Sequence, residues 1–103
     1  MPVVVVATIK PKPEYRDDVI AAMKETIAQV HDEDGCELYA LHANGDRLVM
    51  IERWASAEAL QAHSTGSPGL QQLNAKLKGK LEGPLDVVRL EPVPAGDEAK
   101  GRL

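Results

Sequence analysis

After Met1-Pro2 the chain opens on Val3-Val4-Val5-Val6-Ala7-Thr8-Ile9, a β-branched run that is almost continuously apolar. That pattern predicts a strand covered on both faces rather than one alternating between core and water. Pro11 and Pro13 end it. From Glu14 to about His31 the apolar positions Tyr15, Val19, Ile20, Met23, Ile27 and Val30 recur at spacings of three and four, one face of an amphipathic helix. Glu14, Asp17 and Asp18 near its start suit the helix dipole. Asp32-Glu33-Asp34-Gly35 reads as a helix exit and a solvated turn, because glycine tolerates the positive φ of a C-terminal cap. Cys36 to Ala43 alternates as a strand, Asn44-Gly45-Asp46 signals a hairpin, and Arg47 to Trp54 is the return strand.

Ser56 is placed to cap a second helix, with Glu58 in its first turn and Ala59 where a full capping box would need Glu or Gln. Thr65-Gly66-Ser67-Pro68-Gly69 interrupts that helix, and helical spacing resumes through Leu70, Leu73, Leu77 and Leu81 before Gly83-Pro84 closes it. Leu85 to Leu90 is the last strand. Residues 1–92 therefore form one domain, and residues 93–103, rich in Pro, Gly and charge, are expected to be a flexible tail. Strand, helix, strand, strand, helix, strand is the α+β, ferredoxin-like βαββαβ order, with the first and third strands central. Both helices of such a fold lie on one face of the antiparallel sheet. Val3–Val6 and Leu48–Ile51 are apolar on both faces, so the other face would expose more than the roughly few hundred Å² a soluble monomer tolerates. A homodimer, sheet against sheet, is expected.

Composition narrows the function classes. The 103 residues are 44% hydrophobic and 27% charged, ordinary for a folded domain and outside the disordered regime. A net charge of −4, with twelve basic residues in no aromatic-interleaved patch, argues against a nucleic-acid partner. The valine run is too short for a membrane span and lacks the flanks of a signal peptide. A single cysteine suits a reducing compartment, so a cytoplasmic location is expected.

The chain has one Trp, two Tyr and no Phe, and it places Trp54 where a strand gives way to a helix, nine residues before His63. Alternation puts Leu48, Met50, Glu52 and Trp54 on one face of the third strand, and Glu37, Tyr39 and Leu41 on one face of the second. Trp54 reads either as a large core residue or as a flat wall for a planar ligand. His63 reads either as a helix-end residue bonded to a carbonyl or solvent, or as an acid or base. A buried Glu52 is expected to pair with Arg53, Arg89 or a lysine; unpaired, it would titrate unusually in a cavity. Tyr39 packs, or offers its hydroxyl to a substrate oxygen. Cys36 reads as a small core residue rather than a nucleophile. His31, His42 and His63 fall on different elements, which supports no metal site, and phosphate loops and nucleophile elbows are absent.

The set Gly35-Cys36, Tyr39, Glu52-Arg53-Trp54-Ala55-Ser56, Ala59-Leu60, Ala62-His63 and Ser67-Pro68 resembles the antibiotic biosynthesis monooxygenase (ABM) domain family, including its quinol monooxygenase-like branch, over about the first ninety residues. The resemblance implies a dimeric α+β barrel with a pocket in each subunit between sheet and helices. It implies a cofactor-independent monooxygenase that oxidises a small quinol or phenolic aromatic with O2, using no flavin, haem or metal. A deprotonated phenol is electron-rich enough to reduce O2, so such a protein need only bind, deprotonate and exclude water. Carried onto this chain, the resemblance has Trp54 orienting the aromatic substrate, His63 accepting its proton, and Tyr39 and Glu52 positioning oxygens. A haem-degrading branch uses an Asn on the first strand, a Trp near the second helix and an iron-binding His. Ala7 or Thr8, His63 and Leu73 fall at those places here, which disfavours haem degradation. Another branch isomerises a phosphorylated sugar and needs a cationic anchor, for which Lys10, Lys12 and Arg89 are available. An acid–base isomerase of a small carbonyl compound and a non-catalytic ligand-binding dimer are the alternatives.

Overall fold

A computed structural model describes residues 1–103. Strand β1 (Val3–Ile9) leads through a 3-10 turn (Pro13–Tyr15) into helix α1 (Arg16–Val30), followed by strands β2 (Cys36–Asn44) and β3 (Arg47–Trp54). Helices α2 (Ala57–Gly66) and α3 (Pro68–Leu77) precede strand β4 (Asp86–Leu90). All neighbours in the sheet are antiparallel, in the order β2-β3-β1-β4. This is the expected ferredoxin-like α+β fold, with its two most apolar strands in the centre. No helix is long and apolar enough to cross a membrane.

Register separates the two faces. Val5, Ala7 and Ile9 of β1 stand beside Glu52, Met50 and Leu48 of β3, and all six are buried beneath the helices. Val19, Met23 and Val30 of α1 and Leu73 and Leu77 of α3 close the core from above. On the helix-free face, Val6 lies between Ile51 and Val88, and Ile51 pairs in turn with Ala40. Val88 and Leu90 are about half exposed there.

Three details differ from the sequence expectation. The first long helix begins at Arg16, because Pro13 forces a tighter turn before it. The expected interruption across Thr65–Gly69 narrows to Ser67 alone, between two helices that each have their own serine cap: Ser56 Oγ accepts from the Ala59 N–H at 3.1 Å, and Ser67 Oγ accepts from the Leu70 N–H at 3.1 Å. Helix α3 ends at Leu77 rather than running to Leu81. Gly79 takes a positive φ of 78°, and Leu81 leaves to form a bridge with Pro11.

A bulge between Cys36 and Leu38 breaks the simple alternation of β2. Its effect is local and decisive: Tyr39 is set directly opposite Glu52, while Glu37 pairs with Arg53 at 3.0 Å on the opposite face. Gly35 just before it has φ +80°, and a Cβ there would come within 2.5 Å of the Ala59 Cβ. The absent side chain thus lets α2 seat against the α1–β2 turn.

Candidate active site

Four elements meet at one end of the cavity between sheet and helices. Strand β3 supplies Glu52 and Trp54, β2 supplies Tyr39, α2 supplies His63, and the α1–β2 turn supplies Glu33. The imidazole of His63 lies on the indole of Trp54, with ring centroids 4.5 Å apart and planes at 31°. Tyr39 meets both rings edge-on, at 5.5 Å from His63 and 6.3 Å from Trp54. Trp54 Nε1–H donates to Glu52 Oε1 at 2.9 Å.

Behind the imidazole, His63 Nδ1 is 2.9 Å from Glu33 Oε1, and Ser67 Oγ donates to Glu33 Oε2 at 2.5 Å. An ionised carboxylate only accepts, so Nδ1 carries the hydrogen and the basic lone pair is on Nε2. Ser67 thus serves twice, as the cap of α3 and as the group that pins the Glu33 carboxylate. This pairing departs from the sequence reading of the 32–34 run as a purely solvated turn. Nothing local distinguishes Glu33 from its acidic neighbours. Its inward direction depends on where α1 ends and on Gly35 packing against Ala59.

Burial raises the Glu52 carboxyl above the ordinary carboxylate range, opposed by the Trp54 hydrogen bond and the nearby His63. The expected ion pair is absent: Arg53 is engaged with Glu37 on the far face, and no lysine or arginine nitrogen lies within 4.0 Å of Glu52. Burial, then Glu52 and Glu33, push the Tyr39 phenol upward, so it stays a neutral hydrogen-bond donor. Cys36 is likewise raised by burial and by the same two carboxylates, which agrees with a packing role. No three His, Cys, Asp or Glu side chains gather as a metal-ligand group.

The cavity encloses about 210 Å³, and twelve of its seventeen lining residues are hydrophobic. Tyr39, Glu52 and His63 line it, all three buried. None of Tyr39 Oη, Glu52 Oε2 and His63 Nε2 has a protein partner, yet no buried polar atom in the chain is orphaned. These three atoms therefore retain access, and the cavity is where their residues are open. Trp54 is different. It is 0% exposed and outside the cavity wall, which corrects the expectation that its face stacks on a ligand. Its indole instead supports His63 from behind and holds Glu52.

The sequence profile of the antibiotic biosynthesis monooxygenase family matches residues 2–76. Rv0793 of Mycobacterium tuberculosis is 37% identical over 100 residues, 95% of either chain. YcnE of Bacillus subtilis is 33% identical over 92 residues, 86% of this chain and 96% of its own. Both are named as candidate monooxygenases. The structure of Rv0793 superposes with a TM-score of 0.86, at 33% identity over 94% of this chain and 100% of that one. A Caulobacter crescentus protein assigned to the antibiotic biosynthesis monooxygenases gives 0.83 at 25% identity, over 89% and 90% of the two chains. Sequence, fold and coverage agree: the chain is a member of the antibiotic biosynthesis monooxygenase family.

Proposed function

We propose that this chain is a cofactor-independent monooxygenase that oxidises a small quinol or phenolic aromatic with O2. One observation carries the reading: an apolar, substrate-sized cavity holds a single imidazole, fixed from behind by Glu33 and open at Nε2. A volume below the roughly 300–1,000 Å³ of drug-sized sites suits a one- or two-ring substrate and leaves little room for a separate cofactor ring system.

In this scheme His63 Nε2 takes the phenolic proton, and Glu33 stabilises the imidazolium that forms. The electron-rich ring gives electrons to O2 and a C–O bond forms at a ring carbon. The O–O bond then breaks, one oxygen staying as a quinone carbonyl and the other leaving as water with the ring proton and the phenolic proton returned by the His63 imidazolium. Tyr39, kept protonated, donates to the substrate oxygen, and Glu52, raised toward its acid form, hydrogen-bonds the departing oxygen. Apolar walls keep water from the reactive carbanion equivalent. Of the three candidate anchors for the isomerase alternative, Lys10 is held by Asp46 and Glu82 and Lys12 by the Gly79 carbonyl; Arg89 alone lines the cavity, a single cation among mostly apolar walls, so that alternative gains less support.

Oxygen uptake by metal-stripped protein, measured across a panel of hydroquinones and naphthols, tests the proposal. Uptake above the enzyme-free rate is expected for at least one compound. Rates equal to autoxidation across the whole panel would overturn it.

The same reading includes a homodimer through the helix-free face. Val6, Ile51, Ala40 and Val88 form an apolar row there, and β4 is exposed throughout. On the other side of β4, Val87 is 54% exposed at the cavity wall. Light scattering should give about twice the 11.1 kDa chain mass for the wild type and a monomer for Val88→Asp. A monomeric wild type, or a dimer indifferent to the aspartate, would remove this interface.

A further inference from the structure

Arg89 is the one lysine or arginine that lines the cavity, and it forms no ion pair and no side-chain hydrogen bond. It is set on the cavity side by register: Tyr39, Glu52, Val5 and Arg89 are successive partners across β2, β3, β1 and β4 and share the helix-covered face. Two strand spacings, roughly 10 Å, separate Arg89 from Glu52 along that row. Along this row the sheet floor of the cavity is polar at both ends, with Val5 between them. One end holds Tyr39, Glu52 and His63, and the other holds an unpaired guanidinium on the exposed strand β4.

From this we infer that the substrate carries a carboxylate opposite its phenolic hydroxyl, and that Arg89 binds that carboxylate at the cavity mouth. The inference rests on the reading of the cavity as a phenol site. A planar guanidinium matches a carboxylate with two parallel hydrogen bonds, and one cation balances one negative charge. A doubly charged phosphate would call for a second cation, which the lining lacks.

Calorimetric titration under anaerobic conditions tests this without requiring turnover. The probes are 4-hydroxybenzoate and 6-hydroxy-2-naphthoate, each compared with its neutral methyl ester. Wild type should bind at least one acid about tenfold more tightly than its ester, as expected for a charge-assisted pair. Arg89→Gln should remove that preference while leaving ester affinity unchanged, which also shows that the variant is folded. Equal affinity for acid and ester in the wild type, or a preference that survives Arg89→Gln, overturns the inference and leaves the phenol-site reading intact. Binding of 4-hydroxyphenyl phosphate in preference to the carboxylates overturns the assignment to carboxylate. No binding by any acid or ester overturns the inference, and the oxygen-uptake panel then decides the phenol-site reading on its own.

Discussion

His63→Ala is expected to lower kcat for O2-dependent oxidation by roughly 10²- to 10⁴-fold, the usual contribution of a positioned acid–base group. The prediction follows from the Nε2 atom, which is the accessible nitrogen of a ring whose other nitrogen is committed to Glu33 at 2.9 Å. Glu33→Gln provides the companion measurement. It keeps the shape of the side chain and removes the charge opposite the imidazolium, so kcat should fall at least roughly 10- to 100-fold, the range for outer-shell carboxylates that orient metal-bound histidines. KM should hardly move, because Glu33 is outside the cavity lining. Uptake kinetics equal to wild type in His63→Ala would take the imidazole out of the mechanism. A Glu33→Gln effect confined to KM would show that the carboxylate shapes the cavity rather than the base.

Trp54→Ala should cost about 3–5 kcal/mol of stability, because the indole is fully buried and its removal leaves a large void in the core. Against the roughly 5–15 kcal/mol available to a domain, that is close to unfolding. Trp54→Phe separates packing from hydrogen bonding, since it retains an aromatic ring but withdraws the Nε1–H donor from Glu52. The sign of the pH effect follows from Glu52. Its pKa is higher folded than unfolded, so its cost is absent below the ordinary carboxylate pKa, grows as pH rises from there to the raised value, and is fully present above it. Loss of the indole donor raises that value further. Denaturant unfolding at about pH 4 and about pH 8 should therefore show the gap between Trp54→Phe and wild type widening at the higher pH. A gap of constant size would mean that the Trp54 N–H contributes nothing to holding the Glu52 charge.

Sequence periodicity was enough to place most elements. The β-branched run at Val3–Ile9, the three-four spacing across α1 and the Asn44-Gly45 hairpin each satisfy a local rule that the fold leaves in force. The same rules misplaced the end of α3, because Leu81 continues the helical spacing but finds its partner at Pro11, a contact invisible to a periodicity argument. Residue type alone marked Trp54, His63, Tyr39 and Glu52 as the side chains to watch. It did not assign them their contacts. The bulge in β2 brings Tyr39 beside Glu52 and sends Glu37 to Arg53, and no composition signal marks such a bulge.

What the chain determines by itself is its elements, their order and the helix-free apolar face, since these follow from side-chain periodicity and from the chirality and length limits on connections. Only the tertiary structure decides that Glu33, rather than Asp32 or Asp34, reaches His63, that Trp54 supports the imidazole instead of facing the cavity, and that Arg89 stands alone at the other end. Each depends on a distance between residues far apart in the chain, 30 positions for Glu33 and His63. Such distances are set by how α2 packs on Gly35 and how β4 registers on β1. Periodicity says which face a side chain occupies; packing says what it meets there.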